Sequence, residues 1–163
     1  MKLAPRERLS ARGLRVAVVR SLFNRPVTDG LLRGARSAFA EMGGRARDVA
    51  VFDLPGAFEL PLAAQAAARA GRFDAVVALG AVIEGETDHY EHVAREAAAG
   101  LAAVALDTGV PVAFGVLTVR QEEQARKRAA PGPDNKGAEA ARAAVMTALA
   151  LRKIRGKRRG KSR

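Results

Sequence analysis

The sequence predicts an α/β fold, a three-layer sandwich in which a four-stranded parallel sheet carries helices on both faces. Three observations point to it. Compact apolar runs occur four times, at residues 14–19, 48–54, 74–79 and 111–117. Each is followed by a longer stretch whose apolar residues recur at helical spacing. Gly or Pro punctuates most of the joins. Strands and helices that alternate in this way close through right-handed crossovers into one parallel sheet.

The first strand, residues 14–19, runs out through Ser21, Leu22, Phe23 and Asn24 to Pro26. Thr28 can cap a helix that continues to about Met42, with Leu31, Leu32, Ala35, Ala38 and Phe39 along one side. Gly43 and Gly44 stop it. Strand two ends at Pro55-Gly56, and a helix follows from Ala57 or Phe58 to about Ala70. Strand three is expected to end at Gly80, before a polar loop and a helix that starts near Asp88 and ends at Gly109. Strand four is followed by a helix from Gln121 to about Ala130. Pro131-Gly132-Pro133 breaks it, and a last helix spans residues 137–151. The expected strand order is 2-1-3-4, as in flavodoxin-like sheets.

The chain has 163 residues, enough for one domain with a real core. We expect a basic arm at 1–13, a single α/β domain at 14–151, and a basic, disordered tail at 152–163. The net charge of +11 lies in these ends: residues 152–163 carry eight basic side chains and no acid, and residues 16–151 are nearly neutral. Such a tail binds polyanions weakly at most. With few aromatics and no nucleic-acid motif, specific nucleic-acid recognition is not expected. There is no cysteine, so no disulfide framework and no thiolate chemistry, which fits a cytoplasmic protein. No stretch is apolar enough for a membrane span or a secretory signal.

Residues 80–92, Gly-Ala-Val-Ile-Glu-Gly-Glu-Thr-Asp-His-Tyr-Glu-His, are the focus of the chain. A loop at the C-terminal end of a parallel strand is where α/β proteins hold ligands, and a helix N-terminus favours an anion. His89 falls in the first helical turn as an acid–base candidate. Gly80 and Gly85 imitate a P-loop, but Glu86 replaces its lysine, so no triphosphate site is expected. His89 and His92 lack an obvious third partner, so no metal is expected. No Gly-x-Ser-x-Gly and no Gly-x-Gly-x-x-Gly follows a strand, which argues against a serine hydrolase and a dinucleotide enzyme. Phe23 and Phe114 offer π-faces to a flat ring, although core packing would also use them. Glu59 could accept hydrogen bonds from ligand hydroxyls. Arg128 and Lys136 flank the Pro-Gly-Pro break and could pair with a phosphate. All these segments are expected to converge on the C-terminal edge of the sheet. The third helix is apolar around most of its circumference, which suggests that one side meets another copy of the chain.

Six blocks resemble the lumazine synthase family, in its order and near its spacing. They are Phe23-Asn24 with Leu31-Leu32-Arg33-Gly34-Ala35, then Leu54-Pro55-Gly56-Ala57-Phe58-Glu59-Leu60-Pro61, then residues 80–90. Phe114-Gly115-Val116-Leu117-Thr118, Glu123-Gln124-Ala125 with Arg128, and Asn135-Lys136-Gly137 complete the set. The resemblance implies riboflavin biosynthesis: a ribitylaminouracil condenses with 3,4-dihydroxy-2-butanone 4-phosphate to give 6,7-dimethyl-8-ribityllumazine, phosphate and water, without a cofactor. It further implies that Phe23 stacks on the pyrimidine ring and that Ala57, Phe58 and Glu59 hold the ribityl chain. Ala81, Val82 and Ile83 would line the ring pocket. Glu86, Thr87 and Arg128 would bind the butanone phosphate, and His89 would shuttle protons. Phe114 would close the pocket from a neighbouring subunit of a pentamer; some members of the family join pentamers into icosahedral shells. Leu22, Glu84, Pro131 and Pro133 depart from the family pattern. The rival readings are a non-catalytic shell whose tails gather polyanions, and a carrier that binds lumazines without making them. His89, Glu59 and Arg128 together favour the enzyme.

Overall fold

The computed structural model describes residues 9–156. In chain order the elements are β1 (Val16–Ser21), α1 (Arg25–Glu41), β2 (Val49–Leu54), α2 (Leu60–Arg69), β3 (Ala75–Ile83), α3 (His89–Thr108), β4 (Val112–Val119), α4 (Glu122–Ala129) and α5 (Lys136–Arg155). Single 3-10 turns occupy Ala46–Asp48 and Ala57–Glu59. All strand pairs are parallel, as the alternation predicts, and the order is β2-β1-β3-β4, the expected flavodoxin-like one.

The central strands β1 and β3 are apolar on both faces because helices cover both faces. On one side Val16, Val18, Val77 and Leu79 pack under α1, α4 and α5. On the other, Ala17, Val19, Val76 and Ala78 pack under α2 and α3. The α1 and α5 helices lie close together because glycines leave room: a Cβ on Gly137 would collide with the Leu31 carbonyl. Next to it Asn135, 2% exposed, caps α5 by accepting from the Ala138 N–H, and donates to the Gly30, Ala129 and Ala130 carbonyls. This residue thereby fixes the chain between Arg128 and Lys136.

One charge lies inside the sheet. Arg20 is 6% exposed, and its guanidinium takes Asp53 on β2 in a bidentate grip, with both contacts at 2.8 Å. Its remaining amino group bonds Asp29 on α1. The hydrogen bond to Asp53 raises the Arg20 pKa against the opposing cost of burial, and the same bond holds the Asp53 carboxyl below its ordinary value.

Element ends differ from the expected ones for local reasons. Gly80 does not end β3; it sits inside the strand opposite Val116, and the strand continues to Ile83. The loop before α3 is therefore only residues 84–88. Thr28 does not cap α1. The helix starts at Arg25 behind Asn24, with Pro26 in its first turn, and Thr28 is buried with its hydroxyl donating to the Arg25 carbonyl. At the C-terminus α5 runs to Arg155, past the expected boundary at 152. Arg152 pairs with Asp74, and Arg155 donates to the Gly109 carbonyl. At the N-terminus Ala11 is fully buried and its N–H bonds the Met42 carbonyl, so the packed body begins before residue 14. The remainder of the expected arm and tail, residues 1–8 and 157–163, lies outside the described residues. No helix among the described residues is long and apolar enough to cross a membrane.

Candidate active site

A cavity of about 710 Å³ opens at the C-terminal ends of β1, β2 and β3. It lies where α1 leaves for one face of the sheet and α3 for the other, the switch point at which such sheets bind ligands. Its walls come from three loops. Phe23 follows β1, residues 55–59 follow β2, and Ala81, Val82, Ile83, Gly85, Thr87 and His89 follow or end β3.

Each wall is built by a local device. The backbone N–H groups of Leu22 and Phe23 donate to the Leu54 and Pro55 carbonyls, so the β1 and β2 loops are laced together. Asn24 then takes a left-handed conformation, φ 56°, that asparagine tolerates better than most residues. Its side-chain amide donates to the Ala81 carbonyl at 2.9 Å, tying the loop to β3 as well. Held on both sides, Phe23 stands 69% exposed at the cavity mouth, although an isolated aromatic gains by burial. Phe58 is also exposed. Glu59 lies over Gly56, where a Cβ would come within 3.1 Å of its carboxylate, so the glycine keeps space for it. The floor is the buried end of β3, Ala81 and Val82. His89 opens α3 behind Asp88, and among the described residues no hydrogen bond engages its ring. An aromatic face, a carboxylate, a hydroxyl and an uncommitted imidazole thus share one mostly apolar hollow.

Three expected site residues are not in it. Phe114 lies in the middle of β4, opposite Ala78, and not at the strand's C-terminal end. It lines a second cavity of about 360 Å³, together with Thr118, Arg128, Lys136 and Glu139. There Arg128 donates to the Gln124 carbonyl, and Lys136 pairs with Glu139 at 2.6 Å. Convergence of every segment on one edge therefore fails within a single chain, because β4 is an edge strand and its outer side faces away from β1. Glu86 is exposed in the 84–88 loop and lines neither cavity.

The structure also brings in residues to which the sequence assigned no role. Asn24 is the tie just described; an Asn directly before Arg-Pro and a helix was the available signal. Tyr90, His92 and Val93 extend the wall along α3. Glu84, one of the departures, lies 3.8 Å from Arg120 in an exposed ion pair. No cluster of three or more potential metal ligands occurs among the described residues.

A family model described as 6,7-dimethyl-8-ribityllumazine synthase matches residues 13–152. Proteins of that name from Deinococcus deserti and Deinococcus radiodurans are each 48% identical over 146 residues, which is 90% of this chain and 94% of theirs. The 6,7-dimethyl-8-ribityllumazine synthase 1 of Caulobacter vibrioides is 49% identical over 141 residues, 86% of this chain and 92% of its own. With a match over nearly the whole described body and the ring-sized hollow at its switch point, the chain belongs to the 6,7-dimethyl-8-ribityllumazine synthase family.

Proposed function

We propose that this chain is a cytoplasmic enzyme of riboflavin biosynthesis. It condenses 5-amino-6-(D-ribitylamino)uracil with 3,4-dihydroxy-2-butanone 4-phosphate to 6,7-dimethyl-8-ribityllumazine, with loss of phosphate and water. The observation that carries the reading is the rim cavity, in which Phe23, Glu59 and His89 surround one space. Phe23 stacks on the pyrimidine, and Ala81, Val82 and Ile83 form the bed under the ring. Ala57, Phe58 and Glu59 take the ribityl hydroxyls, for which a carboxylate is the natural acceptor. An amine must attack a carbonyl and phosphate must leave. His89, with no hydrogen bond to its ring among the described residues, gives and takes the protons that both steps need.

The phosphate needs cations, and among the described residues no arginine or lysine lines the rim cavity. Arg128 shares its cavity with Phe114, so whatever supplies one supplies both. A neighbouring copy that sets its β4 edge against the rim brings Phe114 and Arg128 to Thr87 and the start of α3, with Glu86 at the junction. The unpaired N–H groups of that helix start and the guanidinium then stabilise the leaving phosphate. The outer face of α3 suits such a ring of copies: Ala98, Ala102 and Leu106 are exposed, Leu106 at 85%. Five copies around an axis would close it, with no cofactor, and the basic end adds weak polyanion binding at most. Mixing both substrates and following lumazine absorbance tests the proposal directly. Product should accumulate with phosphate in equal amounts; saturating substrates without product would leave only a carrier or a shell.

A further inference from the structure

Two histidines line the rim cavity, and they are not in the same state. His89 has no hydrogen bond to its ring among the described residues, whereas His92 Nδ1 lies 2.9 Å from the Arg95 guanidinium. A guanidinium has donors only, so Nδ1 must present its lone pair to Arg95. In the neutral ring the proton is then on Nε2. His92 follows His89 by three residues, which puts both on one side of α3. The cavity has acceptors in Glu59 and in backbone carbonyls, but few side-chain donors: Thr87, Tyr90 and the two imidazoles.

Resting on the enzyme reading, we propose that His92 is a second substrate-binding imidazole, distinct in task from His89. It donates one hydrogen bond from Nε2 to an oxygen acceptor of a bound substrate, and Arg95 is the positioning residue that fixes its tautomer. The division of labour follows from the partners. A ring with both nitrogens open can pass a proton in either direction. A ring whose Nδ1 is already committed serves as a fixed donor, and a fixed donor orients a ligand. The acceptor is a hydroxyl or carbonyl of the ribitylaminouracil, or a hydroxyl, carbonyl or phosphoryl oxygen of the ketone phosphate. Kinetics with each substrate varied in turn separates the two sources.

His92→Phe keeps a flat ring and removes the donor; His92→Gln restores an N–H. Loss of one hydrogen bond of about 1.4 kcal/mol should raise the KM of one substrate roughly 10-fold. The kcat should stay within about twofold of the parent's, because the contact is made in ground state and transition state alike. His92→Gln should recover most of the loss. Arg95→Met should raise the same KM by less, and should add nothing in the His92→Phe background, since the two act as one unit. The substrate whose KM rises identifies the acceptor. Unchanged KM for both substrates in His92→Phe, a Gln variant as poor as the Phe variant, an additive Arg95 effect, or a kcat that collapses as for a proton shuttle would each overturn the assignment. A parent that forms no lumazine would sink the enzyme reading instead. In that event, titration of ribitylaminouracil and of the ketone phosphate, each against parent and His92→Phe, still decides the His92 contact: about 10-fold weaker binding of one of them supports it and equal binding of both overturns it.

Discussion

Under the proposed function, the rim cavity and the β4-edge cavity divide the chemistry of one reaction between them. The first is about 710 Å³ and mostly apolar, with two imidazoles and a carboxylate but, among the described residues, neither arginine nor lysine. The second is about 360 Å³ and holds Arg128 and Lys136 beside Phe114. A flat, uncharged ring fits the first and a phosphate the second, yet the substrates must meet at one place. The difference teaches that the residues proposed for the ring and those proposed for the phosphate line separate cavities of one chain, which under the proposal a second copy would bring together. The reason is topological. β1 and β3 flank the switch point, whereas β4 is the last strand and turns its far side outward.

The largest expected effect tests the first half. His89→Ala should lower kcat by roughly 10²-fold or more, the usual cost of losing acid–base help. An unchanged rate with both substrates saturating would remove His89 from the mechanism. The same variant sharpens the comparison when combined with Arg128→Ala. Coexpressed and assayed with the ketone phosphate well below the Arg128→Ala KM, the two impaired chains should regain measurable activity, because some sites then pair an intact His89 from one copy with an intact Arg128 from the next. Mixtures no more active than the better variant alone would mean that each site is built within one chain.

Arg128→Ala by itself tests the second half and should act on binding. A lost charge-assisted contact of about 1.5–3 kcal/mol predicts a KM for the ketone phosphate at least 10-fold higher. The KM for ribitylaminouracil should hardly move, since that substrate carries no phosphate. Equal affinity of parent and variant for the phosphorylated substrate would break the assignment of the edge cavity to phosphate.

How far the sequence revealed this division is instructive. Strand–helix alternation made the parallel sheet and the two helical layers legible, the strand order being only the flavodoxin-like expectation, and Phe23, Glu59 and His89 were found from their places after successive strands. The segregation of Arg128 was not legible, and that of Phe114 was implied only by the family resemblance, because periodicity says which residues are buried and nothing about which side of an edge strand they face. Strand ends were misplaced where a residue type normally read as a breaker was used inside an element. Gly80 is tolerated within β3 because the Leu60 and Val116 side chains already fill the space where a Cβ would go, at 3.3 and 3.4 Å. Asn24 went unnoticed because its role lies in one backbone angle and one long-range bond to Ala81. His92 was weighed only as a metal ligand; the Arg95 contact that distinguishes it from His89 is a matter of rotamer, which spacing does not encode.

The smallest expected effect concerns the frame that holds the rim half-site. Arg20 binds Asp53 and Asp29, and so ties β1 to β2 and to α1 just below the loop that carries Phe23. The hydrogen bond from Arg20, more than its charge at a distance, keeps the Asp53 carboxyl below its ordinary value of 3.8. Stability from this pair is therefore complete above that value and fades as pH falls through the lower folded-state value. Arg20, whose pKa is raised by the hydrogen bond to Asp53, contributes stability that is lost only in strong alkali, outside any useful range, so the acid limb alone reports the link. Asp53 is 41% exposed at its side chain, so solvent screening discounts the pair to about 1 kcal/mol. Asp53→Asn should lower urea-unfolding stability at neutral pH by about that amount. It should also lose less stability than the parent between about pH 5 and pH 3, since one linked proton is gone. If variant and parent lost stability in parallel over that interval, the ion pair would not be holding the edge of the site, and the order of the rim loops would have to come from the Leu22–Leu54 and Phe23–Pro55 backbone bonds and the Asn24–Ala81 tie.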